Sequence, residues 1–288
     1  MRHAVKIIFL ISGLGFLFWW GWSGNFVYNP ESPFRFSTSD NYYVFSFGGK
    51  GMGYSRRVVE ADKPDAGMRV KEDSLVNLKI PGFDGDLRLR SNVLYGPDGR
   101  PLEAEFSVPG LAFAKAEAKV DRGFLYFNVN LGPLSRRIEK AVPKEGPLLV
   151  SAVAPWLSRQ REVVLGKVLV LRLFDPVKMD FVRAELLIDD VSEPSDEIRV
   201  FEITLTLPGG VSKERLDANG ILLRQRMGNL DAGLDLIQPE DPARETAAET
   251  LAAEPGDLTG SATERLAAFL PDFMSNLPLN SIADGKSR

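Results

Sequence analysis

The chain has 288 residues, a formal net charge of -4, no cysteine and a single histidine, His3. That inventory excludes Cys/His zinc sites, cysteine nucleophiles, disulfides and a lipidated cysteine, and it leaves any histidine base to His3 alone. Without a basic excess no nucleic-acid partner is expected, and no cofactor is indicated.

From Ile7 to Pro30 no residue is charged, and the run Ile7–Trp22 is apolar but for Ser12. About 20 such residues span the roughly 30 Å of a bilayer's hydrocarbon as a helix. Arg2 and Lys6 precede the run, which places the N-terminus in the cytoplasm and the bulk of the chain in the periplasm or outside the cell. The anchor residues are Ile7, Leu10, Leu14 and Phe16, with Trp19, Trp20 and Trp22 as an interfacial belt. The expected location is therefore the inner (cytoplasmic) membrane, crossed once. A cleaved signal peptide shares the charged start and apolar run, but no A-x-A site follows.

From residue 34 to about 230 short segments alternate apolar and polar residues, the mark of half-buried strands. Leu102, Ala104, Phe106 and Val108 share one face; Leu125, Phe127, Val129 and Leu131 repeat the pattern, as do Phe201, Ile203, Leu205 and Leu207. Gly96-Pro97-Asp98-Gly99, Asp121-Arg122-Gly123 and Asp217-Ala218-Asn219-Gly220 read as tight turns, so neighbouring strands pair antiparallel. The fold class is mainly β: a large curved antiparallel sheet, half-barrel or sandwich, with one or two short helices and the N-terminal transmembrane helix. Ala112–Val120 contains helix formers, but its period of two predicts a strand. Leu148, Leu149, Ala152, Val153 and Trp156 follow helical spacing and predict a helix over Leu148–Arg161. Val168-Leu169-Val170-Leu171 is apolar on both faces and predicts a central strand covered on both sides.

Between Pro239 and Arg265 seven acidic residues stand against two basic ones, which leaves the rest of the chain close to neutral. The expected organisation is an anchor over 1–30, a β domain over 31–237, and an acidic, flexible or transiently helical tail over 238–288. The tail carries an apolar island at Leu266–Leu270, Phe273, Met274, Leu277 and Leu279, suited to docking on a partner or on the domain itself.

No catalytic motif emerges. Asp84 and Asp86 flank Gly85 in a turn-like pattern, and Asp189-Asp190 close a strand; these are the only carboxylate pairs offered for a hydrolase, and they read as solvated residues. Gly48–Gly53 lacks P-loop spacing and reads as a hairpin or bulge. Arg56-Arg57 and Arg136-Arg137 read as exposed basic pairs that can meet anionic headgroups. The small face Ala112, Ala114, Ala116, Ala118 leaves room either for close packing or for an apolar ligand.

Leu216-Asp217-Ala218-Asn219-Gly220-Ile221-Leu222-Leu223-Arg224 and the stretch Gly166 to Pro176 resemble bacterial envelope β domains. These include the half-barrels of periplasmic lipoprotein carriers and the β domains that precede transglutaminase-like domains. The half-barrel resemblance implies a concave sheet able to hold a lipid or an acyl chain. Transglutaminase activity does not carry over, because the chain has no cysteine. The expected function is a membrane-anchored, non-enzymatic protein that binds a lipid-like ligand or an envelope protein partner. The alternatives are a carboxylate-dependent hydrolase and a structural subunit of an inner-membrane complex.

Overall fold

The structure is a computed structural model. It describes residues 38–63, 67–80, 83–108, 114–131, 134–144, 146–149, 153–157, 164–175, 180–192, 199–208, 210–217, 222–228 and 232–253. The first strands are β1 (Ser39–Phe47), β2 (Lys50–Lys63), β3 (Gly67–Ile80), β4 (Phe83–Tyr95), β5 (Pro101–Ser107), β6 (Ala114–Asp121), β7 (Phe124–Leu131) and β8 (Leu134–Ala141). Helix α1 (Val153–Leu157) follows, then β9 (Val168–Asp175), β10 (Asp180–Ser192), β11 (Arg199–Leu207), β12 (Gly210–Asp217), β13 (Leu222–Met227), β14 (Ala232–Leu236) and helix α2 (Ala243–Ala252).

All 14 strands form one antiparallel sheet in the order β8-β7-β6-β5-β4-β3-β2-β1-β14-β13-β12-β11-β10-β9. The chain starts in the middle of the sheet, meanders out to β8, crosses to the opposite edge at β9, and meanders back to β14 beside β1. Local chemistry makes the hairpins. Gly48 and Gly49, with φ of 57° and 72°, join Phe47 to Lys50 in a two-residue turn whose left-handed backbone suits glycine. Beside it a bulge at Phe45/Ser46 brings Gly53 against β3 so closely that a Cβ would fall on the Leu75 carbonyl oxygen.

Laid flat, 14 strands would extend about 60 Å at roughly 4.8 Å per strand. The two ends nevertheless meet. The Phe127 ring on β7 lies 5.2 Å from that of Phe174 on β9, and Lys140 on β8 pairs with Asp180 on β10 at 3.3 Å. The crossover fills the seam: the Phe174 amide donates to the Leu148 carbonyl at 2.7 Å, and Leu148, Leu149, Val153 and Leu157 are buried. The sheet is therefore curled, with its inner face forming two apolar clusters. One gathers Tyr43, Phe45, Leu173, Leu186, Ile188 and Phe201; the other gathers Val70, Val93, Tyr95, Phe106 and Phe127.

The large curved antiparallel sheet agrees with the sequence reading, and several details differ. The apolar residues at 148–157 contribute to the core, but the described helix is only Val153–Leu157. Leu148 has a left-handed φ of 66°, which breaks helical continuity while still burying its side chain. Val168–Leu171 lies on the edge strand, not a central one: Leu171 is buried, whereas Val168 and Val170 are 51% and 58% exposed. Asp84-Gly85-Asp86 sits within β4, paired with Asn77–Lys79, so it is strand and not turn. The N-terminal anchor and the C-terminal apolar island lie outside the described residues, and no described helix is long and apolar enough to cross a membrane.

The start of the acidic segment forms α2, which packs on the outer face of β1–β3 through Ala247 and Leu251. Arg88 secures its last turn. The guanidinium donates to the carbonyls of Leu251 and Ala253, two groups left without partners at a helix C-terminus, and is itself held by Asp73. Arg244 anchors the first turn, stacking 5.0 Å from the Tyr42 ring and donating to the Asp40 carbonyl. Replacing Arg88 with Met should release α2 while leaving the inner face packed. Hydrogen exchange at residues 243–253 is expected to accelerate 10- to 100-fold, about 1.4–2.8 kcal/mol of local stability. Unchanged exchange there would show that the apolar contacts alone hold the helix.

Candidate functional site

Among the described residues, the buried polar side chains of the inner face gather in an island where β12 and β13 face β1–β3. Strand alternation sets its composition. On β2, Ser55 and Arg57 point inward with Val59; on β3, Glu72 and Ser74 occupy the inward row between Val70 and Val76. On β12, Ser212 and Glu214 precede Leu216, and on β13 Gln225 precedes Met227.

Arg57 is completely buried and Glu72 nearly so. The Arg57 Nη2 and Nε donate to Glu72 Oε2 at 3.1 and 3.3 Å. The other carboxylate oxygen accepts from Ser55 Oγ at 2.8 Å, and Ser74 Oγ donates to Ser55 Oγ at 2.8 Å. The Tyr43 ring covers the guanidinium at 5.2 Å. A buried ion pair of this kind persists because its partners are satisfied, its Coulomb attraction offsetting the loss of hydration.

Glu214 completes the island and retains some contact with solvent. It lies four strands from Arg57 in sheet order, about 19 Å on a flat sheet. The curl brings the two within electrostatic reach. Burial pushes the Glu214 carboxyl up to about 7, against the opposing pull of the Arg57 charge and of a hydrogen bond donated by Gln225 Nε2 at 2.9 Å. Gln225 is 4% exposed, and its Oε1 is buried without a partner. Asn41 Nδ2, next to Arg57 across the β1–β2 ladder, is also buried without a partner. Buried polar atoms of this kind carry a cost of about 1–3 kcal/mol each unless something pairs with them.

The sequence reading placed its candidates elsewhere. Ala116 and Ala118 are buried on β6 between Phe106 and Ala104 on one side and Val129 and Phe127 on the other. Ala114 is in the same strand, and Ala112 lies outside the described residues. Asp86 is exposed and accepts from Asn77 Nδ2 at 2.7 Å; Asp189 stands opposite Glu202. Those carboxylates occupy β4 and β10, eight places apart in the sheet. Among the described residues no three carboxylates or other ligating side chains converge to hold a metal ion. The basic pairs divide. Arg56 is exposed and bound to Asp40, Arg137 stacks 5.4 Å from the Tyr126 ring, and Arg57 overturns the expectation of exposure because its strand neighbour takes the outer face.

Neither a family model nor a curated protein matches the chain in sequence. A DUF1089-family protein of known structure from Pseudomonas aeruginosa is a distant structural neighbour. Its TM-score is 0.35 at 13% identity, covering 61% of this chain and 90% of that one.

One signal in the sequence pointed toward the island. Met68, Val70, Glu72, Ser74 and Val76 form a period-two row in which a carboxylate stands where an apolar residue is due. Ser212-x-Glu214-x-Leu216 is a shorter instance. Nothing local couples the two rows, since they meet only through curvature.

Proposed function

We propose that this chain is a membrane-anchored, extracytoplasmic, non-enzymatic protein that binds a lipid-like ligand against the inner face of its curled sheet. One observation supports the reading: among the described residues, the inner face combines two apolar clusters with an island of buried polar side chains that includes buried unpartnered atoms. An amphiphile has the same division between an apolar body and a polar head. Leu89, Leu207 and Leu236, only partly buried on that face, offer apolar surface that a chain can cover. The anchor read over Ile7–Trp22 would hold the site beside a bilayer. Native mass spectrometry of the full chain, extracted gently from its host, tests this. Discrete added masses of one amphiphile class are expected; an empty protein that also fails to take up alkyl probes overturns it.

A second reading, a protein partner, draws on β9. That edge strand presents Val168 and Val170 with Val164 nearby, all more than half exposed, in the arrangement that strand addition uses. A photo-crosslinker at Val170 in living cells should capture one defined partner if this holds, and no adduct if it does not.

A further inference from the structure

We infer that Glu214 and Gln225 receive a primary ammonium group, so that the ligand at the polar island is an amine-bearing amphiphile. This deepens the ligand-binding reading and rests on it. Arg57 is committed to Glu72, and Glu72 has both carboxylate oxygens occupied, by Arg57 and Ser55. Beside them, Gln225 gives its Nε2 proton to Glu214 Oε1 and is left with a buried Oε1 that only accepts. An ionised Glu214 likewise only accepts. Two acceptors therefore lie side by side on adjacent strands, one of them buried without a partner, and a group rich in donors satisfies both. An ammonium has three and no acceptor.

Charge points the same way. The facing groups are Arg57 on β2, Glu72 on β3, Tyr43 on β1 and Gln225 on β13. With Glu214 ionised the charges sum to minus one. A cationic head neutralises that sum, whereas a carboxylate or phosphate head would add a second negative charge in a desolvated place. Asn41 Nδ2 is a buried donor at the β1 side of the island; Asn41 is aligned with Arg57, whereas Gln225 is aligned through Leu234 with Phe45, four residues further along β1.

The binding step has a proton signature. Below neutral pH the free carboxyl of Glu214 is largely protonated, because burial holds its ionisation near 7. Seating a cation favours the carboxylate, so the proton leaves to buffer as the ammonium arrives. At pH 9 the carboxyl is already ionised and no proton leaves from it.

The test compares dodecylammonium, dodecanol and dodecanoate, each below its micellar concentration, on the full chain by titration calorimetry. The amine should bind at least 10-fold more tightly than the alcohol and more tightly still than the carboxylate. At pH 6, but not at pH 9, its heat should depend on the buffer's protonation enthalpy with close to one proton released. In Glu214→Gln, whose amide keeps the Gln225 hydrogen bond without the charge, the preference for amine over alcohol should vanish while the alcohol binds as before. Equal binding of the three probes to the wild-type protein, or an amine preference that survives Glu214→Gln, overturns the head-group inference and leaves the lipid-binding reading standing. No binding of any probe overturns both. Among natural sources, vesicles containing phosphatidylethanolamine and a soluble long-chain amine separate a membrane lipid from a free amphiphile.

Discussion

Arg57→Met alone is expected to destabilise the domain by about 3–5 kcal/mol, because it strands the Glu72 carboxylate in an interior with only hydroxyl partners. Converting both residues, Arg57→Met with Glu72→Met, should recover most of that loss, since two apolar side chains replace two charges and neither is left unpaired. The decisive quantity is the coupling in a double-mutant cycle from urea unfolding. A coupling of at least about 2 kcal/mol identifies the pair as one satisfied unit. Additive losses would mean that each residue contributes through packing alone. Arg56→Met, one residue away on the outer face, gives a control. Its pairing with Asp40 is solvent-exposed, and exposed pairs contribute little.

Glu214→Gln should stabilise the protein at alkaline pH and leave it unchanged in acid. The carboxyl ionises at about 7 in the fold against an ordinary value of 4.5, so the folded state holds its proton more tightly than the unfolded chain does. The contribution of a group shifted upward is fully present below about 4.5 and is lost progressively as pH rises through 7. At pH 8 the wild-type protein carries a penalty of no more than about 3 kcal/mol, and the neutral amide escapes it. Unfolding free energies of both proteins from pH 4 to 9 check the sign. Their difference should open between about 4.5 and 7 and then stay constant. A difference that is flat with pH would show that Glu214 is well solvated in the fold. This stability measurement needs no ligand, so it bears on the electrostatics of the island independently of what binds there.

The hairpins were the most legible part of the chain. Asp121-Arg122-Gly123 and Gly96–Gly99 turn as their residue types require, with Arg122 and Gly123 at φ of 49° and 83° and Gly99 donating to the Gly96 carbonyl. The alternating rows on β5, β7 and β11 bury Phe106, Phe127 and Phe201 as predicted, but Leu102, placed on the buried face of β5, is 39% exposed beside the register shift at Leu94/Tyr95. The errors share a cause. Val168–Leu171 is apolar on both faces, which says that each face tolerates burial but not whether the sheet continues beyond it. Leu148–Trp156 has helical spacing, but Leu148 and Leu149 are buried from irregular chain at the seam, and of the predicted apolar residues that are described only Val153 and Trp156 belong to the helix. Arg56-Arg57 looks like an exposed pair because adjacent charges suggest a surface, yet on a strand adjacent residues take opposite faces.

By itself, then, the sequence determined the secondary-structure class, the antiparallel pairing of neighbours, the positions of the tight turns and the exclusion of cysteine and zinc chemistry. The first three depend on residues within a few positions of one another, and the last on composition alone. The tertiary structure alone decided that β1 and β14 are neighbours, that β8 and β9 are the edges, and that the sheet curls until Phe127 meets Phe174. It alone brought Glu214 and Gln225 to face Arg57, more than 150 residues earlier in the chain. The physical reason is that curvature accumulates from the twist of all the strands and from what the crossover can fill. A property of the whole sheet cannot be read from any one of its strands.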